Sequence, residues 1–167
     1  VAIPFLIDIT YYDMAQYTYY LTFIMDLFNR EIVGWSESDN LRTESTTLPA
    51  LQRLIKERGR ANLVGAIIHS DGGGQYYCKE FKTLTKELGM INSMTEEKVY
   101  ENSHAERLNG IIKNNYLYPY GPKDRTSLKK LLAKAVLMYN TGKPHKALGK
   151  LTPKSFKDTI DNEDNSA

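Results

Sequence analysis

Phe5-Leu6-Ile7-Asp8-Ile9-Thr10-Tyr11-Tyr12 is a run of apolar, aromatic and β-branched residues with one carboxylate in its middle. Such a run reads as a largely buried strand. Strand alternation puts Leu6, Asp8 and Thr10 on one face, with Ile7, Ile9 and Tyr11 on the other. A carboxylate inside a buried strand costs several kcal/mol unless it is paired or holds a cation. Asp8 is therefore either a strand-edge acid that reaches an arginine or solvent, or a ligand in a site.

Working outward, Tyr17 to Leu27 and Glu31 to Ser36 are further strand candidates rich in Tyr, Thr, Phe and Ile. The links between them are short enough for hairpin turns, so the three strands form an antiparallel meander. Leu48, Leu51, Leu54 and Ile55 follow helical spacing up to Gly59, and Pro49 requires that helix to start near Leu48. Leu63 to His69 reads as a buried strand ending in the Gly72-Gly73-Gly74 loop. A helix carrying Phe81, Leu84 and Leu88 follows, then a strand over Met90 to Met94, then helices over Ser103 to Tyr116 and Ser127 to Tyr139. This order predicts an α/β domain, a mixed sheet covered by helices. The expected organisation is one domain over residues 1–157, followed by an acidic, frayed tail over 158–167.

The chain has 167 residues and 41% hydrophobic composition, enough for one proper core. Its start at Val1 rather than Met leads us to expect an excised domain. The single cysteine, Cys78, excludes an intrachain disulfide and fits a reducing compartment. No apolar run approaches the roughly 20 residues of a membrane span, and no signal peptide is evident, so the expected location is cytoplasmic, with no membrane partner. The net charge of +2 conceals an asymmetry. Residues 107–157 carry 12 Lys or Arg against one acid, Asp124, a balance of +11 that leaves −9 for the remainder. A basic half points to a polyanionic partner; solvated lysines on helix faces are the plain alternative.

Two further acids stand out. Asp71 follows the apolar Ile67-Ile68 run in His69-Ser70-Asp71-Gly72-Gly73-Gly74-Gln75-Tyr76, at the carboxyl end of a buried strand, where α/β proteins build their sites. An ordinary Asp-Gly turn is the alternative. The glycine spacing matches no phosphate-binding loop. Glu106 lies in Glu101-Asn102-Ser103-His104-Ala105-Glu106-Arg107-Leu108-Asn109. Ser103 to Glu106 fits a capping box, so Glu106 has a purely structural alternative. Yet Glu106, Asn109 and Lys113 share one helical face, an acid beside an amide and a cation, as a surface contacting a phosphate backbone would want. Three acids from separate elements can cradle two hard cations about 3.5–4 Å apart, the arrangement that phosphoryl transfer uses. His69 and His104, near that site, are expected to be structural or supporting rather than ligands, and nothing near Cys78 activates it as a nucleophile.

The sequence resembles the integrase-type (DDE) catalytic core of bacterial insertion-element transposases, which is similar to retroviral integrase. The resemblance rests on Asp8-Ile9-Thr10-Tyr11, Asp26-Leu27-Phe28-Asn29-Arg30-Glu31-Ile32-Val33-Gly34-Trp35, the His69 to Tyr76 segment, Ser93-Met94 and the Asn102 to Asn109 segment. It continues through Tyr139-Asn140, Pro144-His145, Leu148, Thr152-Pro153 and Phe156, covering nearly the whole chain in order. There are departures. The 34 residues between Asp71 and Glu106 are one fewer than is usual. The shortening falls in the Thr95–Glu101 loop, which is unusually acidic through Glu96, Glu97 and Glu101. Lys143 also replaces a usual arginine before the Pro-His pair.

The resemblance implies a ribonuclease-H-like fold with a five-stranded mixed sheet flanked by helices. It carries the catalytic and metal-binding roles onto Asp8, Asp71 and Glu106, and turns Arg107, Asn109 and Lys113 toward DNA. It implies two Mg²⁺ ions, with Mn²⁺ as a substitute. The implied chemistry is phosphodiester cleavage and strand transfer by in-line attack of water and then of a 3′-hydroxyl, without a covalent protein intermediate. The implied partners are transposon ends, a target duplex and further copies of the chain. A catalytically inactive DNA-binding module and a ribonuclease H-like nuclease are the alternatives from other classes.

Overall fold

The computed structural model describes residues 3–94 and 101–167, apart from the side chains of Tyr77, Glu101 and Asn102. Strands β1 (Pro4–Met14), β2 (Tyr17–Asp26) and β3 (Ile32–Ser38) form the expected antiparallel meander. The β1–β2 link is the two-residue turn Ala15-Gln16, in which Ala15 takes a left-handed φ of 55°. On the other side of β1, strands β4 (Ile67–Ser70) and β5 (Ile91–Met94) add in parallel. The sheet order β3-β2-β1-β4-β5 makes β1 the central strand.

The strand expected over Leu63 to His69 starts four residues later. Gly65 turns the chain at φ 79°, and Leu63 is buried from a 3₁₀ turn over Arg60–Leu63 rather than from the sheet. The helices are α1 (Thr47–Arg58), the single turn α2 (Gly74–Tyr77), α3 (Lys79–Glu87), α4 (Glu101–Ile111), α5 (Arg125–Gly142) and α6 (Pro153–Ser166). Pro49 falls in the first turn of α1, where its missing N–H costs nothing. Helix α4 does not run on as a regular α-helix to Tyr116: Ile112–Leu117 form a π-helical stretch. Asp124 caps α5 in a reciprocal capping box with Ser127.

The sheet separates two cores. Phe5, Ile7 and Ile24 pack toward Leu51 and Leu54 of α1 and Phe81 of α3. On the opposite face, Tyr12, Leu21 and Phe23 pack toward Leu108 of α4 and Leu128, Leu132 and Val136 of α5. Asp8 shares that second face by alternation, and α4 and α5 cover it. Asn140 of α5 clamps β3 at the sheet edge, accepting from the Ile32 N–H at 2.8 Å and donating to its carbonyl at 2.9 Å. Arg58, at the end of α1, is buried against Asp26, at 3.3 Å, and Glu31 across the β2–β3 turn.

The acidic terminus is helical rather than frayed. Thr152 caps α6, Pro153 starts it, and Phe28 and Phe156 pack with ring centroids 5.8 Å apart. Ion pairs Lys154–Asp158 and Lys157–Asp161 at i, i+4 then carry it through Ser166.

Candidate active site

Asp8 lies mid-strand in β1, opposite Phe23 of β2 and half-buried. In the β1–β4 ladder Leu6 faces His69. Two residues further along both parallel strands come Asp8 and Asp71, and neighbouring strands lie about 4.8 Å apart. The fold thus brings Asp71, one residue past the end of β4, beside Asp8. Asp71 is exposed, and its Oδ1 accepts from the Gly73 N–H at 3.0 Å in a tight Asx turn. Both alternatives raised for Asp71 are therefore true at once: it makes the Asp-Gly turn, and it stands next to Asp8.

Glu106 is exposed on α4. The helix is already formed at Glu101, so Ser103 lies within it and cannot be its N-cap. That removes the capping-box explanation for Glu106. The three charges meet at Asp8. Burial pushes the Asp8 carboxyl above its ordinary value, the Asn109 hydrogen bond pulls it back, and the nearby Asp71 and Glu106 charges push it up again.

Helix α4 reaches β1 through the expected face. Asn109 Nδ2 donates to Asp8 Oδ2 at 2.8 Å. Lys113, in the π-helical stretch, donates to Thr10 Oγ1 at 2.9 Å and to the Tyr11 carbonyl at 3.1 Å, with the Tyr11 ring 5.0 Å away. Burial pushes the Lys113 ammonium down, while Asp13 and Asp8 hold it up. Asn109 and Lys113, expected to face a phosphate backbone, thus spend hydrogen bonds on β1, and Lys113 keeps one N–H to spare. Arg107 points elsewhere, into a cleft with Arg30 and His145.

The donor set suits a hard divalent cation, since all three acids offer oxygen. Asn109 Oδ1, beside Asp8, is a buried acceptor without a hydrogen-bond partner, as an oxygen near a hydrated cation would be. Among the described residues, no group of three or more His, Cys, Asp or Glu side chains is gathered tightly enough to hold a metal in its present positions. Unscreened carboxylates repel, and Asp71 is turned to its own loop, so the acids share a region without forming a closed cage. The acidic loop expected over Thr95 to Glu101 lies outside the residues and side chains described.

Sequence reasoning did not single out Tyr76, whose buried hydroxyl has no hydrogen-bond partner and which burial, Asp8 and Asp71 push well above the ordinary tyrosine range. A tyrosine five residues past Asp71 was the available signal. Cys78 caps α3, its Sγ accepting from the Phe81 N–H at 3.4 Å.

The Integrase core domain family matches residues 5–98, and a second family of the same description matches residues 91–153. Among curated proteins, the chain is 30% identical over 165 residues to the transposase for insertion sequence element IS629 of Shigella sonnei, covering 96% of this chain and 54% of that protein. It is 28% identical to the transposase for IS904 of Lactococcus lactis, covering 89% of this chain and 58% of that protein. The chain therefore spans about half the length of these relatives. In fold it matches the HTLV-2 integrase catalytic core domain in complex with magnesium, with a TM-score of 0.74, 22% identity and coverage of 92% and 95% of the two chains. The BIV integrase catalytic core matches with a TM-score of 0.70, 16% identity and coverage of 98% and 99%. The mixed five-stranded sheet flanked by helices is thus the ribonuclease-H-like architecture of retroviral integrase cores. The family match spans more than half the chain and includes Asp8 and Asp71; the chain belongs to the integrase core domain family.

Proposed function

We propose that this chain is the catalytic core of a DNA transposase, a polynucleotidyl transferase that cleaves a phosphodiester and joins the freed 3′ end to a target duplex. The observation that carries this reading is the convergence on one face of the central strand of Asp8, Asp71 and the Glu106 charge. Asp8, Asp71 and Glu106 would hold the divalent cations, Mg²⁺ by preference for hard oxygen donors, with Mn²⁺ as a substitute. Two such ions would neutralise charge at the scissile phosphate and acidify the attacking hydroxyl.

The chain's own groups do the positioning. Asn109 fixes the orientation of the Asp8 carboxylate through Oδ2. The Gly72-Gly73-Gly74 loop keeps bulk away from the open side of Asp71. Lys113 anchors the π-helical stretch to β1 and offers its remaining N–H to a phosphate oxygen, as does the exposed Arg107 guanidinium. The partners on this reading are transposon ends, target DNA and further copies of the chain, and the setting is the bacterial cytoplasm. Among the described residues, no helix is long and apolar enough to cross a membrane.

The test is Mg²⁺-dependent nicking and strand transfer on a supercoiled plasmid. Asp71→Asn should reduce both to the metal-free background while DNA binding persists. Undiminished activity in that variant would sink the assignment. Cleavage of an RNA–DNA hybrid in preference to duplex DNA would instead mark the chain as a ribonuclease of the same fold.

A further inference from the structure

A second site lies one helix face away from Glu106. A cleft of about 100 Å³ is lined by Arg30 of the β2–β3 turn, His104 and Arg107 of α4, Tyr139 of α5, and His145 and Lys146 after it. Among the described residues, its lining holds two guanidiniums, an ammonium and two imidazoles, and no acid. Burial pushes His145 down, and Lys143, Arg107 and Arg30 push it further. Tyr139 feels the same two arginines, which pull against the burial that raises its hydroxyl to about 12. The two guanidiniums therefore share the cleft with no carboxylate from the described residues beside them.

Two details show that the cleft is built. Nε2 of His145 is buried and has no hydrogen-bond partner, which is costly unless something fills the position. Arg30 is held at φ 64°, a left-handed conformation that glycine or asparagine would adopt at less cost. Its guanidinium Nη1 lies 3.0 Å from His104 Nδ1, which fixes it on the cleft wall. A strained backbone kept for the sake of a side chain points to a use for that side chain.

We propose that this cleft binds one backbone phosphate of the DNA strand, gripped by Arg30 and Arg107, with Lys146 at the rim and the His145 Nε2–H as a directed donor. The volume is about three waters' share of liquid, the size of an oxyanion rather than of a nucleotide. The Arg30 backbone N–H bonds Asp26, which pairs with Phe5, three residues down β1 from Asp8. At about 3.3 Å per residue that register lies roughly 10 Å along β1 from Asp8. A DNA strand that passes the acids would place the gripped phosphate a few nucleotides from the reacting one. The site would thus set which bond reaches the acids without reading a base.

The proposal rests on the reading of the chain as a DNA-acting core, and two measurements keep the two apart. The first is duplex binding by fluorescence anisotropy across a salt series, for the parent chain and for Arg30→Gly, a replacement suited to the positive φ. Binding should weaken about tenfold, and the slope of log K against log salt should fall by about 0.9, one phosphate's worth. Neutral methylphosphonates placed singly within a few nucleotides of the cleavage site should, at one position, weaken the parent by a similar factor and Arg30→Gly by clearly less. An unchanged slope in Arg30→Gly, or a methylphosphonate effect equal in both proteins, overturns the proposal. The second measurement is a titration of both proteins with inorganic phosphate, followed by the imidazole NMR resonances of His145. A saturable shift in the parent that is lost in Arg30→Gly supports the oxyanion site even if the chain fails to cut DNA. Its absence in the parent, together with an unchanged salt slope, removes the site while leaving the catalytic reading intact.

Discussion

Asp8 carries a charge where the central strand would otherwise hold an apolar residue, and the metal-free protein bears that cost. Its carboxyl is raised above the ordinary 3.8 by burial first and by the neighbouring acids, so the folded chain binds this proton more tightly than the unfolded chain. Stability from this group is therefore full below about 3.8 and falls as pH rises through the raised folded value, leaving the penalty in place at neutral pH. Asp8→Asn keeps an oxygen for the Asn109 amide and removes the charge. In chelator it should melt higher than the parent at pH 8, by of order 1 kcal/mol, with a smaller advantage at pH 5, as read by calorimetry. A lower melting temperature at pH 8 would show that Asp8 is well solvated or paired in the free protein. The acid itself was legible in the sequence because a charge interrupts an alternating apolar run. Its partner was not. Asn109 lies 101 positions away, and the helical face that predicts Asn109 and Lys113 together cannot say whether they look to DNA or to the sheet. Arg30 was equally hidden, since its left-handed backbone follows from the geometry of the β2–β3 turn and leaves no trace in residue type.

Helix α1 and strand β3 approach each other so closely that one side-chain carbon decides their spacing. A Cβ on Gly34 would stand 2.5 Å from the Ala50 carbonyl oxygen and 2.9 Å from Ile24 Cδ1. The carbonyl belongs to helix backbone and cannot turn aside, so α1 must move. Gly34→Ala should cost about 1–3 kcal/mol, a loss of roughly 1 M in urea midpoint. Gly110→Ala on α4 is the control: its nearest neighbour is the Asn114 amide at 4.0 Å, and helix propensity favours alanine by up to about 1 kcal/mol. Equal losses in both variants would mean that tight packing at Gly34 is not the cause. Elements with a dense apolar period, such as α1 and α5, could be read before the structure was known. The α6 helix could not, because it shows too little apolar surface for a period: Phe156 meets Phe28, and ion pairs do the rest. The early end of regular helix at Ile111 and the late start of β4 escaped for a different reason. Both are set by backbone geometry, a π-helical turn and a left-handed glycine, that hydrophobic spacing does not record.

Charge is divided across the whole molecule as the two cores are. The basic segment 107–157 forms most of the α4–α5 layer, the layer that covers the Asp8 face of the sheet. The acids of the site therefore sit beside the most basic part of the chain, so that on the proposed function DNA and metal would arrive at one face and each would offset the charge that the other meets. This arrangement makes stability a report on metal binding. A cation that binds the folded chain alone, at ten times its Kd, adds about 1.4 kcal/mol, which for a chain of this size is about 3–6 °C in Tm. Mg²⁺ should raise the melting temperature of the parent by that amount without DNA present, and the rise should vanish in Asp71→Asn, whose fold loses only a surface charge beside Asp8. A monovalent salt series at matched ionic strength separates this from screening of the three carboxylates, which would stabilise both proteins alike. If Mg²⁺ shifts parent and variant equally, the acids do not act as one ligand set, and their meeting at β1 is only a consequence of the sheet's register.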